Sequence, residues 1–229
     1  MNSYYPKINK PVSNLKNTID DFRDGATGSN LSELQEWFED ELFLIKFHKN
    51  IKKEQLIYTL LFPEKTQMIQ KFFHAPKVIS ANNKKIDLKS IIKKDEKNIL
   101  INGRLGQGKS MLLRYLHFLE LNMGCTLPIF LELRKIKSGE SVIESARKKL
   151  NSQGLPASMK LFKFLMSKGH VSLFLDGFDE ISLELRESFN SHLTDFFNIY
   201  PKVKVVVASR FNTEISPLCQ PSCPVGDIA

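Results

Sequence analysis

The stretch Asn98-Ile99-Leu100-Ile101-Asn102-Gly103-Arg104-Leu105-Gly106-Gln107-Gly108-Lys109-Ser110 decides the fold. An apolar run of strand length leads directly into G-x4-G-K-S, and a helix-patterned stretch, 109–123, follows. Glycines let the backbone curl so that its N–H groups line a nest for phosphate oxygens, and the next helix turns its positive end to the same anion. Gly103, Arg104, Leu105, Gly106, Gln107, Gly108, Lys109 and Ser110 are therefore read as a phosphate-binding loop. Lys109 is expected to reach the terminal phosphates and the Ser110 hydroxyl to ligate Mg²⁺.

Working outward, apolar runs at 98–102, 127–133, 171–176 and 202–208 alternate with helical patterns at 109–123, 140–152, 157–168 and 183–199. Continuous apolar strands separated by helices predict a parallel sheet covered on both faces, an α/β architecture. The run at 171–176 ends in Asp176, followed by Gly177-Phe178-Asp179-Glu180. A carboxylate at the carboxyl end of a buried parallel strand lies where such sheets bind ligands. Asp176 is expected to hold Mg²⁺ through a water, and Asp179 or Glu180 to polarise the attacking water; the sequence does not separate those two. Three carboxylates within five residues repel one another unless a cation sits among them, which predicts a metal there. The run at 202–208 ends in Ser209-Arg210, and an arginine at that tip is expected to face the terminal phosphate.

Upstream, Asn30 is predicted to N-cap a helix whose capping box is completed by Glu33. Leu31, Leu34, Trp37, Phe38, Leu42 and Ile45 draw one apolar stripe along it. Further helices are expected at 52–62, ended by Pro63, and at 64–73. The expected organisation is an extended stretch 1–29, a helical segment 30–74, a lysine-rich connector 75–97 with one strand at 77–79, a nucleotide-binding domain 98–210, and an irregular tail 211–229. The chain's 229 residues, 42% of them hydrophobic, suffice for one such domain and a small appendage, and exclude a disordered chain. No apolar run approaches the roughly 20 residues of a membrane helix, and no membrane partner is expected. Three cysteines make no disulfide framework and fit a reducing cytoplasm, and C-x3-C at Cys219 and Cys223 lacks a second ligand pair for zinc. The net charge of +8 divides equally between residues 1–98 and 99–229, although 42–97 is locally lysine-rich, so charge by itself neither assigns nor excludes a nucleic-acid partner.

GRLGQGKS, LPIFLELR (127–134), FLDGFDE (174–180) and VVVASR (205–210) together resemble the NACHT family of STAND-class P-loop NTPases. The separated D-G-h-D-E form of the acidic motif is the most distinctive part of the likeness. The resemblance implies an additional-strand P-loop sheet of order 5-1-4-3-2. With no fifth strand read after Arg210, the expectation is order 1-4-3-2, with the P-loop strand at an edge and the chain truncated after the Arg210 strand. The resemblance also implies an ATP-binding switch with weak Mg²⁺-dependent hydrolysis, in which Lys109 binds phosphate, Ser110 and Asp176 hold Mg²⁺, Asp179 and Glu180 serve hydrolysis, and Arg210 reads the γ-phosphate. Bacterial relatives often act in defence, and self-association or protein partners through the N-terminal helices would carry the output. The alternatives are a nucleotide-binding adaptor without turnover and an AAA-type ATPase acting on nucleic acid or protein.

Overall fold

The computed structural model describes residues 20–23, 25–39, 41–59, 62–80, 83–92, 98–123, 126–137, 139–211 and 225–228. The expectations for residues 1–19 and for the cysteine-bearing stretch 212–224 lie outside these. Two helices, α1 (Ser29–Glu39) and α2 (Glu41–Lys52), open the described chain, followed by a hairpin of β1 (Leu56–Thr59) and β2 (Phe62–Met68). Then come β3 (Val78–Ser80), α3 (Leu88–Ile92), β4 (Asn98–Asn102), α4 (Lys109–Met123) and β5 (Leu127–Glu132). The remainder is α5 (Val142–Ser152), α6 (Met159–Lys168), β6 (Val171–Asp176), α7 (Leu183–Ile199), β7 (Lys204–Ser209) and β8 (Val225–Ile228).

The main sheet has the order β3-β8-β4-β7-β6-β5. Its β4-β7-β6-β5 portion is parallel throughout and reproduces the expected 1-4-3-2 arrangement. Alternate residues of these strands feed two cores. Leu100, Ile129, Leu131, Leu173, Leu175, Val205 and Val207 face one side, whereas Ile99, Ile101, Phe130, Phe174, Val206 and Ala208 face the other, against Leu112, Leu113 and Leu116 of α4. Burial on both faces explains why the strands read as unbroken apolar runs.

Two expectations are corrected here. The P-loop strand is not an edge: β8 pairs with it in parallel, Leu100 opposite Val225 and Asn102 opposite Asp227, in the fifth-strand position. The end of the expected irregular tail is therefore strand, and β3 covers β8 in turn, antiparallel. On its far side β3 is met by the chain's own return, with Ile86 N donating to Val78 O at 2.8 Å and Ser80 N to Lys84 O at 2.8 Å. Second, 56–68 is a hairpin rather than the ends of two helices, with Leu56 opposite Met68 and Thr59 opposite Phe62. Pro63 falls within β2, one strand of a two-stranded sheet in which both strands are edges, where proline is tolerated.

The N-terminal helices share a core with the sheet instead of forming a separate bundle. Leu34, Trp37, Phe47 and Ile51 bury into the same cluster as Leu161, Phe162 and Leu173. Polar contacts fix the docking: Trp37 Nε1 donates to Pro156 O at 3.1 Å and Asn50 Nδ2 to Gln153 O at 2.9 Å. Helix α1 begins one residue before the expected cap, so Asn30 lies inside it. Glu33 makes no capping box; its carboxylate accepts from Ser158 N at 2.6 Å, at the start of α6. The capping box in this chain is at α5, where Ser141 Oγ accepts from Glu144 N at 3.2 Å and Glu144 accepts from Ser141 N.

Trp37 is 3% exposed, and truncating such a side chain to alanine costs about 3–5 kcal/mol. Trp37→Ala should lower one cooperative melting transition by roughly 10 °C. Calorimetry resolving two transitions, with the larger at the wild-type temperature, would show instead that the N-terminal segment folds apart from the sheet.

Candidate functional site

The carboxyl ends of β4, β6 and β7 open on one cleft of ≈ 260 Å³, lined by Leu105, Gly106, Gly108, Lys109, Ser110, Asp176, Gly177, Asp179, Glu180 and Arg210 among others. Every catalytic and metal candidate from the sequence thus faces a single space. The register makes this happen: Asn102 lies opposite Ser209, and Leu175 opposite Val207, so the three strands end nearly level.

The loop between β4 and α4 is closed by its own residues. Gln107 Oε1 accepts the Arg104 N–H, and Lys109 Nζ donates to Arg104 O at 3.1 Å. Gly106 (φ 82°) and Gly108 (φ 79°) occupy the left-handed region that side chains avoid, which turns successive N–H groups inward. Leu112 N donates back to Gly108 O at 2.8 Å, so the helix begins directly on the loop.

Ser110 Oγ donates to Asp176 Oδ1 at 2.9 Å, joining the loop to the acidic strand. Burial pushes the Asp176 carboxyl above its ordinary range; the Ser110 hydrogen bond and the Arg114 charge oppose this, while Glu180 and Glu132 add to it. Among the described residues no three His, Cys, Asp or Glu side chains converge as a metal cage. The Ser110–Asp176 pair offers one hydroxyl and one carboxylate oxygen. That donor set suits Mg²⁺, which keeps most of its shell in water and phosphate oxygens.

The other two carboxylates are neutralised by arginines, not gathered round a common centre as their spacing suggested. Arg210 Nε pairs with Asp179 Oδ2 at 2.6 Å, and Arg134 Nη1 pairs with Glu180 Oε2 at 3.4 Å. Gly177 makes the divergence feasible: its φ of 75° is left-handed, and a Cβ there would meet the Glu180 carboxyl at 3.3 Å. Phe178 anchors the loop from below, fully buried and edge-on to Phe189 at 5.7 Å.

Several residues of the site escaped the sequence reading. Arg186 of α7 pins the acidic loop, donating to Ile181 O at 3.0 Å and Asp179 O at 2.6 Å. Glu132, at the end of β5, accepts from Arg114 at 3.2 Å, Arg134 at 3.1 Å and Lys135 at 3.0 Å. Burial works to raise its carboxyl, but hydrogen bonds from Lys135 and Arg134 and the charges of Lys135 and Arg114 carry it below the usual value. Glu132 and Arg134 carried some signal beforehand, as the sixth and final letters of LPIFLELR; Arg114 and Arg186 sit on helices at positions no motif marks.

A family model described as the NACHT domain matches residues 97–221, more than half of the chain. The chain belongs to the NACHT family. It is accordingly a nucleotide-binding P-loop NTPase module, and the matched segment runs from the P-loop strand through the Arg210 tip. No curated protein matches the chain. Among the described residues of this NACHT protein no helix is long and apolar enough to cross a membrane.

The raised Asp176 carboxyl carries a stability consequence. A carboxylate whose folded pKa exceeds its unfolded value favours the fold when protonated, and that contribution is lost as pH rises through the carboxylate range. Asp176→Asn should therefore raise the melting temperature of nucleotide-free protein at pH 7.5, and the gain should shrink as pH falls and the wild-type group takes up its proton. A Tm difference independent of pH would assign the effect to something other than the charge.

Proposed function

We propose that this NACHT module is an ATP-driven signalling switch with weak intrinsic hydrolysis. The observation that carries the reading is the single cleft onto which Lys109, Ser110, Asp176, Asp179, Glu180 and Arg210 all open. In this reading the loop 103–110 wraps the phosphates with backbone N–H groups, and Lys109 exchanges its contact with Arg104 O for phosphate oxygens. Ser110 and Asp176 hold Mg²⁺, which when bound supplies positive charge to the phosphate oxygens. Asp179 and Glu180 serve hydrolysis by orienting water, and Arg210 neutralises the terminal phosphate.

The ion pairs account for slow turnover. With Arg210 on Asp179 and Arg134 on Glu180, neither carboxylate is free to accept a proton until its arginine is drawn elsewhere. The terminal phosphate is the stronger attraction for Arg210, so binding of a triphosphate releases Asp179 while a diphosphate leaves the pair in place. That difference between the two nucleotide states is what a switch requires. ATP as the nucleotide, a cytoplasmic setting, a role in defence, and an output through self-association or protein partners complete the reading and rest on the family likeness.

Mg·ATP at a hundred times its Kd should stabilise the wild type by about 2.7 kcal/mol, and Lys109→Ala should abolish that gain. Glu180→Gln and Asp179→Asn should keep the thermal shift and slow phosphate release, whereas Asp176→Asn should weaken the Mg²⁺-dependent part of binding. A shift in wild type without phosphate release would support the adaptor reading. Equal loss of binding in all three acidic variants would remove the division of labour among the carboxylates.

A further inference from the structure

Four ion pairs join into one chain of alternating charge between the N-terminal segment and the acidic loop. It begins at Glu54, in the 3₁₀ turn Lys53–Gln55 that follows α2. Arg114 Nη1 donates to Glu54 O at 2.8 Å and lies 3.7 Å from Glu54 Oε2. Its other arm, Nη2, donates to Glu132 Oε1 at 3.2 Å. Glu132 Oε2 accepts from Arg134 Nη2 at 3.1 Å, and Arg134 Nη1 reaches Glu180 Oε2 at 3.4 Å. The side chains of Glu54, Arg114 and Glu132 are only 17–20% exposed, so the first two pairs escape most of the screening that weakens surface ion pairs, whereas the two pairs through Arg134, 59% exposed, feel more of it. The Arg114 guanidinium also lies over the Phe130 ring, 4.3 Å from its centroid, which fixes the plane from which both arms extend.

We propose that Glu54 and Arg114 are positioning residues for Glu180. Through Glu132 and Arg134, the N-terminal segment sets how firmly Glu180 is held away from hydrolytic work. The proposal rests on the reading of Glu180 as a hydrolytic carboxylate.

The direction follows from competition at Glu132. Its two oxygens already receive Arg114, Arg134 and Lys135. Arg114 divides its donors between Glu54 and Glu132 and cannot shed its charge. When the turn at Glu54 is withdrawn, Arg114 loses a backbone acceptor and a nearby carboxylate together. When Glu54 is neutralised, Arg114 loses the carboxylate charge and keeps the carbonyl. In both cases the under-compensated, shielded cation turns more fully to Glu132. Arg134 then loses its share of Glu132 and shifts to the other carboxylate it touches, Glu180. Glu180 becomes more tightly paired and turnover slows, while the phosphate loop, which none of these residues contacts among the hydrogen bonds and ion pairs described above, still binds nucleotide. A partner that shifted the N-terminal segment would change hydrolysis by the same route without approaching the cleft.

The test measures kcat, KM and Kd for Mg·ATP on the full chain, together with its melting temperature. Glu54→Gln should lower kcat about three- to tenfold, within the range of such couplings, and leave Kd within about twofold. Glu54→Asp should restore most of the rate. Glu54→Gln should have no further effect in a Glu132→Gln background, because the chain is already cut there. Arg114→Lys keeps the charge but lacks the planar fork that spans the Glu54 turn and Glu132, so it should slow turnover in the same way and serves if Glu54→Gln fails to fold. An active wild type whose kcat is unmoved by Glu54→Gln overturns the proposal. So does an effect that persists unchanged in the Glu132→Gln background, or that falls equally on Kd and kcat. A wild type that binds ATP without turnover has a different signature: it removes the hydrolytic role of Glu180, and the positioning role with it.

Discussion

The parallel pairing of β6 with β7, and of β7 with β4, is the constraint from which the site follows. It delivers Asp176, Arg210 and the phosphate loop to one rim, level to within about a residue. Yet these strands are apolar on both faces, so hydrophobic alternation does little to prevent a one-residue slip. The register is held by polar groups at the opposite end of the sheet. Lys204, at the start of β7, donates to Ile92 O at 2.6 Å and lies 3.6 Å from Glu120 of α4. Thr126, just before β5, bonds Glu120 at 2.6 Å and shares a 2.7 Å hydrogen bond with Ser172 of β6. Lys204 and Glu120 are almost fully buried, and burial raises the Glu120 carboxyl while the Lys204 charge and the Thr126 hydrogen bond pull it down. A slip would leave a buried ammonium and carboxylate without each other, at a cost of several kcal/mol.

At the functional rim the chain solves the opposite problem. The acidic loop brings Asp176, Asp179 and Glu180 close in sequence, and the fold separates them before any cation arrives. The left-handed Gly177 turns the chain, Arg186 holds the backbone of the loop, and Arg210 and Arg134 take one carboxylate each. Asp176 is hydrogen-bonded to Ser110, has no arginine salt bridge among those described, and burial pushes its carboxyl above the ordinary range. Electrostatics thus distinguish one carboxylate bonded to a hydroxyl from two held by arginines, a distinction that three acids in a row do not reveal.

What could be read beforehand was whatever local sequence specifies. The glycine loop, the apolar strands and the terminal polar residues of each strand gave the parallel sheet and the residues that share the cleft, while the order of its four core strands came from the family resemblance. The hairpin at 56–68 was misread because Leu56, Ile57, Leu60 and Leu61 also fit a helical stripe, and Leu60-Leu61 carries none of the Asn-Gly type signals that mark a tight turn. The strand β8 was missed for a different reason. Val225-Gly226-Asp227-Ile228 has little intrinsic strand preference, and the slot it fills is created by β4 and β3, more than a hundred residues away. Arg114, which pairs with Glu132, and Arg186, which holds the backbone of the acidic loop, were hidden in the same way, since they acquire their roles only when a helix is laid against a strand end.

Helix α4 ties these levels together. Its first residues, Lys109 and Ser110, face the cleft; Arg114, one turn on, meets Glu54 and Glu132; Glu120, near its end, meets Lys204. At 15 residues it is about 22 Å long, and its Leu112, Leu113 and Leu116 are fully buried against the sheet, so it behaves as one rigid bar. In the proposed reading, nucleotide acts on one end of that bar and the N-terminal segment on its second turn. The register-fixing cluster holds the other end, so a force applied at Glu54 cannot be absorbed by sliding the helix along the sheet. It has to appear in the side chains at the strand ends, where Glu132 and Arg134 stand beside Glu180.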